Sequence, residues 1–251
     1  MHDELLNKLR LLKLPGMAEG LLRQREMPHS YDELGFEERL GLLAEDELLK
    51  RENTRVARLR KNASLRQNAA PEGLHYPSSR GLKAEQMREL LSGTYLAHKK
   101  NILITGPTGC GKSWIASALG EQACRQKHSV QFWRMARLLE TLAQGHHDGS
   151  WLKMLKQLQK TRLLILDDLG LELLTTRQCN DLLEILEDRY GQNSTIVISQ
   201  LPVEQWYGLM ENPTTADAIL DRLIHNAHRL ELKGESMRKM EEVLESAKIM
   251  Q

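Results

Sequence analysis

The 251-residue chain has no apolar run approaching the roughly eighteen residues of a membrane-spanning helix, so no membrane contact is expected. Its opening, Met1-His2-Asp3-Glu4, lacks the basic start and apolar stretch of a secretory signal. Cysteine is scarce. Cys110, Cys124 and Cys179 are widely spaced, form no metal-ligand pattern and suit a reducing cytoplasm, the expected location. There are no internal repeats and no low-complexity segment. The pair His146-His147 is flanked by Gly145, Asp148 and Gly149, which predicts a solvated loop rather than a metal site.

The formal net charge of +1 conceals a local asymmetry. Residues 33–47 are acidic, whereas Lys50, Arg51, Arg55, Arg58, Arg60, Lys61 and Arg66 face a single acid, Glu52. On one continuous helix this order complements the macrodipole. Alternatively, Arg51, Arg55 and Arg58, at i, i+4 and i+7 with Lys61 following, form a face for DNA phosphates. The pattern leaves both readings open.

Residues 1–68 read as a small helical domain, broken at Pro15-Gly16. Ser30-Tyr-Asp-Glu33 has the form of a capping box opening a longer helix, with Phe36, Leu40 and Leu43 on its buried side. Residues 69–78, with two prolines and a glycine, read as a linker. From 79 to 251, apolar runs alternate with helical stretches. Strands are predicted at 102–105, 130–133, 163–167, 195–199 and 229–232, with helices at 112–126, 135–143, 151–160, 177–190 and 216–224. Such alternation gives an α/β fold with a parallel sheet covered on both faces. Leu163-Leu-Ile-Leu166, apolar throughout, is the pattern of a central strand.

Directly after the first of these strands comes Gly106-Pro-Thr-Gly-Cys-Gly-Lys-Ser113, a complete G-x-x-x-x-G-K-[ST] loop leading into a helix. Gly109 and Gly111 let backbone N–H groups converge on an anion, and the helix N-terminus adds its partial positive charge. Lys112 reaches the β- and γ-phosphates of a nucleoside triphosphate, and Ser113 supplies a hydroxyl for Mg²⁺. Gly106, Pro107, Thr108, Gly109, Cys110, Gly111, Lys112, Ser113 and the adjacent Trp114 form the expected ATP-binding set. Cys110 is a small filler in a loop that works mainly through backbone.

The buried strand ends in Asp167-Asp168, at the edge where parallel sheets bind ligands. Asp167 is placed to hold Mg²⁺ and Asp168 to orient or deprotonate water. A helix N-cap after the strand is the alternative. Gln200, following the strand 195–199, offers an amide to the γ-phosphate or the water.

Taken together, Gly106–Ser113, Leu163–Asp168, Ser199-Gln-Leu-Pro202 with Trp206, Asp221-Arg222-Leu223 and Gly234–Arg238 resemble the IstB-like AAA+ ATPases. These are transposition helpers of insertion sequences, related to the DnaC and DnaI helicase loaders. The resemblance spans essentially the whole chain, including Leu34–Leu40 and Arg51-Glu52 in the helical region. It implies a five-stranded AAA+ (ASCE P-loop) sheet and ATP sites completed by a neighbouring subunit of a homo-oligomer. It also implies assembly on duplex DNA and stimulation of a transposase. By resemblance, Asp167 holds Mg²⁺, Asp168 is the catalytic acid and Gln200 the sensor amide. Arg222 is an arginine finger given in trans, Arg238 a second sensor arginine, and residues 133–160 a helical insertion used against DNA. Asp168 stands where many AAA+ proteins carry Glu, and Gln200 where Asn is commoner. Ser199 is the alternative sensor, and slow hydrolysis is expected. Helicase loading, a small-molecule kinase activity and a non-hydrolysing ATP-gated scaffold are the competing functions.

Overall fold

A computed structural model of the chain describes residues 2–74 and 81–234. They divide into two compact units, 1–58 and 59–251. Residues 59–74 therefore belong with the second unit: Ala63, Ala69 and Leu74 are buried in its core, although 69–78 read as a linker.

The first unit contains α1 (His2–Leu11), α2 (Pro15–Glu26) and the start of α3 (Phe36–Ala63). Small residues let α2 and α3 approach closely: a Cβ on Gly16 would lie 2.5 Å from the Asp46 carbonyl oxygen. The Glu47 carboxylate caps α2, accepting from the N–H groups of Gly16 (2.7 Å) and Met17 (3.3 Å), and from Arg51 Nε (2.7 Å). Burial alone would raise the Glu47 pKa. The Arg51 guanidinium and the two N–H groups outweigh it and hold the carboxyl below its usual value. The capping box expected at 30–33 does not form. That segment is a 3₁₀ turn (Pro28–Ser30) followed by further turns, and Glu38 instead accepts from the Gly35 N–H at the start of α3. Phe36 and Leu40 are exposed, and of the three expected apolar contacts only Leu43 is buried. Leu43 packs over Gly20, where an added Cβ would lie 2.9 Å from its Cδ2.

In the second unit, α4 (Ala84–Ser92) and α5 (Thr94–Ala97) lead into β1 (Asn101–Thr105). Then follow α6 (Lys112–Arg125), β2 (Val130–Arg134), α7 (Met135–Asp148), α8 (Trp151–Lys160) and β3 (Leu163–Leu169). The chain continues through α9 (Thr176–Arg189), β4 (Ser194–Ser199), α10 (Pro213–Ile224) and β5 (Ala227–Glu231). The five strands form one parallel sheet in the order β2-β3-β4-β1-β5. Alternate side chains feed two cores. Ile102, Ile104, Leu163, Ile165, Ile196 and Ile198 pack with α6, whereas Leu103, Leu164, Leu166 and Val197 pack with α7 to α10.

His146 closes α7 instead of lying in a solvated loop. Its Nε2 is 2.8 Å from Asp181 Oδ1, and its ring stacks on Trp151 at 4.8 Å. Among the described residues no cluster of three or more His, Cys, Asp or Glu could hold a metal, and no helix is long and apolar enough to cross a membrane.

Candidate nucleotide-binding site

β1 delivers the chain into the loop 106–111, and Lys112 opens α6. Gly106 has φ 142°, and a Cβ there would lie 2.4 Å from the Leu232 carbonyl oxygen; only glycine lets the loop pass the end of β5 this closely. The Lys112 ammonium donates to the carbonyls of Gly106 and Pro107, both at 2.7 Å, and is largely buried. Cys110 packs into the core under the loop, with Sγ 4.0 Å from Lys112 Nζ. Trp114 packs against the same core, and Gly73 faces its ring.

Across from the loop, β3 presents Asp167 and Asp168. The Ser113 hydroxyl donates to Asp167 Oδ2 at 2.8 Å, and the Asp168 N–H donates to Asp167 Oδ1 at 2.9 Å. Asp167 is fully buried. Burial pushes its carboxyl above the usual range and the Asp168 charge adds to that, against the opposing pull of Ser113 and Arg66. A hydroxyl beside a single carboxylate is a hard-oxygen set suited to Mg²⁺, which takes its remaining ligands from phosphates and water. The β3–β4 register shifts between Leu166 and Leu169, and Asp168 has φ 65°. Aspartate tolerates this left-handed conformation better than most residues, a physical reason for the shorter acid here. Neither acid caps a helix: α9 begins only at Thr176, capped by a Thr175–Gln178 capping box.

At the end of β4, the Thr108 hydroxyl donates to Gln200 Oε1 at 2.7 Å. Ser199 is buried; its hydroxyl donates to the Leu169 carbonyl (2.7 Å) and accepts from the Leu201 N–H (3.1 Å). The loop, Asp167, Asp168 and Gln200 thus meet at the carboxyl ends of β1, β3 and β4.

Arg222 is not part of this cluster. The Arg222 carbonyl accepts from Asn101 Nδ2 at 3.0 Å, at the amino end of β1 and away from the loop. Its guanidinium pairs with Glu187 and with Asp221 (3.2 Å). Arg238 lies outside the described residues. In the first unit, Arg51, Arg55 and Arg58 line one pocket of about 670 Å³ with Arg10, Lys13 and Lys50. Lys61 instead lines a pocket of the second unit with Asn62 and Ser129. Within residues 133–160, Lys153, Lys156 and Lys160 line another, of about 770 Å³.

Two residues at the site escaped the sequence reading. Arg134 Nε lies 3.1 Å from Asp168 Oδ2, and Arg66 Nη1 lies 3.2 Å from Asp167 Oδ2. Arg134 ends β2 in register with Asp167, a position that the strand alternation could have flagged. Arg66 sits at the end of a basic run and carried no signal of its own.

The sheet order, the loop after β1, the acids ending β3 and the amide after β4 define a P-loop nucleotide-binding domain of the AAA+ type. The chain belongs to the IstB-like ATP-binding proteins, whose family model matches residues 7–245. It is 46% identical over 234 residues to a putative insertion sequence ATP-binding protein of Sinorhizobium fredii, covering 93% of this chain and 95% of that one. It is also 46% identical over 203 residues to the putative ATP-binding protein of insertion sequence IS1162 from Pseudomonas fluorescens, covering 80% and 87%. The crystal structure of DnaI (TM-score 0.58, 18% identity, 66% of this chain and 92% of that chain) shares the fold. So does AMPPCP-bound DnaA from Aquifex aeolicus (TM-score 0.60, 18% identity, 74% and 56%).

Proposed function

We propose that this insertion-sequence ATP-binding protein is a Mg²⁺-dependent ATPase that oligomerises on duplex DNA and recruits and stimulates a transposase. The observation that carries the reading is the convergence of Lys112, the Ser113–Asp167 pair, Asp168 and Gln200 on one loop, with Arg222 at the far end of β1. Ser113 and Asp167 would hold Mg²⁺, which neutralises charge developing on the phosphates. Lys112 exchanges its two carbonyl partners for phosphate oxygens. Asp168 orients and deprotonates the attacking water, and Gln200, joined to the loop through Thr108, contacts the γ-phosphate. Arg222, away from its own loop, exchanges its Glu187 and Asp221 partners for the phosphate of a neighbour's ATP. Arg238 is assigned as the second sensor arginine on resemblance alone. The lysines of α8 and the arginines of α3 supply phosphate contacts, which fix position on DNA without reading bases. The test is ATP turnover with and without duplex DNA, no other phosphoryl acceptor being present. Turnover indifferent to DNA at every protein concentration would count against the proposal.

A further inference from the structure

Catalysis as described leaves Arg66 without a task, yet it makes the closest cationic contact to the buried acid. Its Nη1 lies 3.2 Å from Asp167 Oδ2 and 3.6 Å from Asp168 Oδ2. The first of these is the oxygen that also accepts the Ser113 hydroxyl. Asp167 is fully buried, whereas the Arg66 side chain is 39% exposed, so the ion pair links the buried acid to the solvent-facing segment after α3. Two carboxylates on successive residues repel, and one of them has no access to water, so a cation in contact with the buried oxygen offsets part of that cost. A divalent ion held by Ser113 and Asp167 would deliver positive charge to the oxygen that Arg66 already holds. The two cations compete for it.

We infer that Arg66 is a positioning residue: it is the counter-ion of Asp167, as Arg134 is of Asp168, and it yields Asp167 Oδ2 to Mg²⁺ when nucleotide binds, releasing residues 64–74. The inference rests on the reading of Asp167 as the Mg²⁺ ligand. Arg66 lies three residues beyond the end of α3, between the buried anchors Ala63 and Ala69. The neighbouring Gln67 Oε1 is buried and has no hydrogen-bond partner among the described residues. An orphaned buried acceptor is rare and costly, and a rearrangement of this segment would relieve it. The Arg66 ion pair is one of the contacts that hold the segment in the arrangement seen here.

The test uses the full chain, with AMPPCP binding titrated at varied free Mg²⁺ in wild type, Arg66→Gln and Arg66→Lys. The half-saturating Mg²⁺ falls roughly tenfold in Arg66→Gln, the scale of one charge-assisted hydrogen bond, and stays near wild type in Arg66→Lys. Hydrogen exchange is the second readout. Amides of 64–74 in wild type exchange faster with Mg²⁺ and AMPPCP than with AMPPCP and EDTA, and in Arg66→Gln they are fast without nucleotide. If Arg66→Gln does not fold, the wild-type exchange comparison decides. An Mg²⁺ requirement within twofold of wild type in Arg66→Gln, or wild-type exchange indifferent to Mg²⁺, overturns the inference and leaves the Asp167 assignment standing. Wild-type AMPPCP binding indifferent to Mg²⁺ overturns both.

Discussion

Thr108 and Gln200 join the phosphate loop to the end of β4 through a 2.7 Å hydrogen bond, while the adjacent Ser199 turns inward to Leu169. Ser199 is thus committed to a structural contact, and we propose Gln200 as the residue that faces the nucleotide. Ser199→Ala leaves the Leu201 N–H without its acceptor, and it should cost about 1–2 kcal/mol of stability. Gln200→Ala should leave the melting temperature nearly unchanged and reduce ATP turnover. Thermal melts and steady-state hydrolysis of both variants check this; the reverse pattern would exchange the two assignments.

Lys112→Ala should abolish tight ATP binding, since it removes the ammonium at the loop. Asp168→Asn should retain binding and lose turnover, because the guanidinium partners tolerate an amide whereas the water loses its base. Nucleotide titration separates the two. Equal loss of binding in both would contradict the roles assigned here.

Glu47 makes the first unit acid-sensitive. Its carboxyl is held below the ordinary 4.5, so the native state binds fewer protons than the unfolded chain just below that value. The stabilisation is fully present above about pH 4.5 and is lost as pH falls through the lower, folded value. Hydrogen exchange of the α2 amides should show wild type better protected than Glu47→Gln at neutral pH, with the gap closing as pH drops below that point. A gap that widens in acid would mean the opposite shift.

The basic face of α3 requires a choice of variants that the sequence alone would not suggest. Arg51 is tied to Glu47 and to the Lys13 carbonyl, so its removal disturbs the α2 cap. Arg55 and Arg58 are exposed and are the better probes. Replacing both with Gln should flatten the slope of log DNA affinity against log salt by about two units, since each phosphate contact contributes about 0.9. An unchanged slope would favour the lysines of α8 as the main contact.

Much of this was legible in the sequence, for physical reasons. The three inner strands, β1, β3 and β4, were legible because a parallel sheet covered on both faces demands apolar runs there. The edge strands β2 and β5 carry polar residues, and β5 starts at Ala227, two residues before the expected bound. The loop was found because its glycines and Lys112 have chemistry at fixed spacing. The start of α3 was misread because Ser30-x-x-Glu33 fits a capping pattern, whereas the helix starts at Phe36, where Glu38 accepts from the Gly35 N–H. Arg66 was hidden for a different reason. Its partner is 101 residues away, and in sequence it is only one more basic residue in a run.

The central claim, an ATP site completed across a subunit boundary, is tested most directly by mixing Arg222→Ala with Asp168→Asn. Each variant alone should bind ATP and hydrolyse it at least 10³-fold more slowly than wild type, the scale of an arginine finger. Mixed oligomers contain one interface type with both wild-type groups, so the mixture should recover a measurable fraction of wild-type turnover. An Arg222→Ala variant that hydrolyses ATP at the wild-type rate, or a mixture no more active than its components under conditions where subunits exchange, would contradict the account.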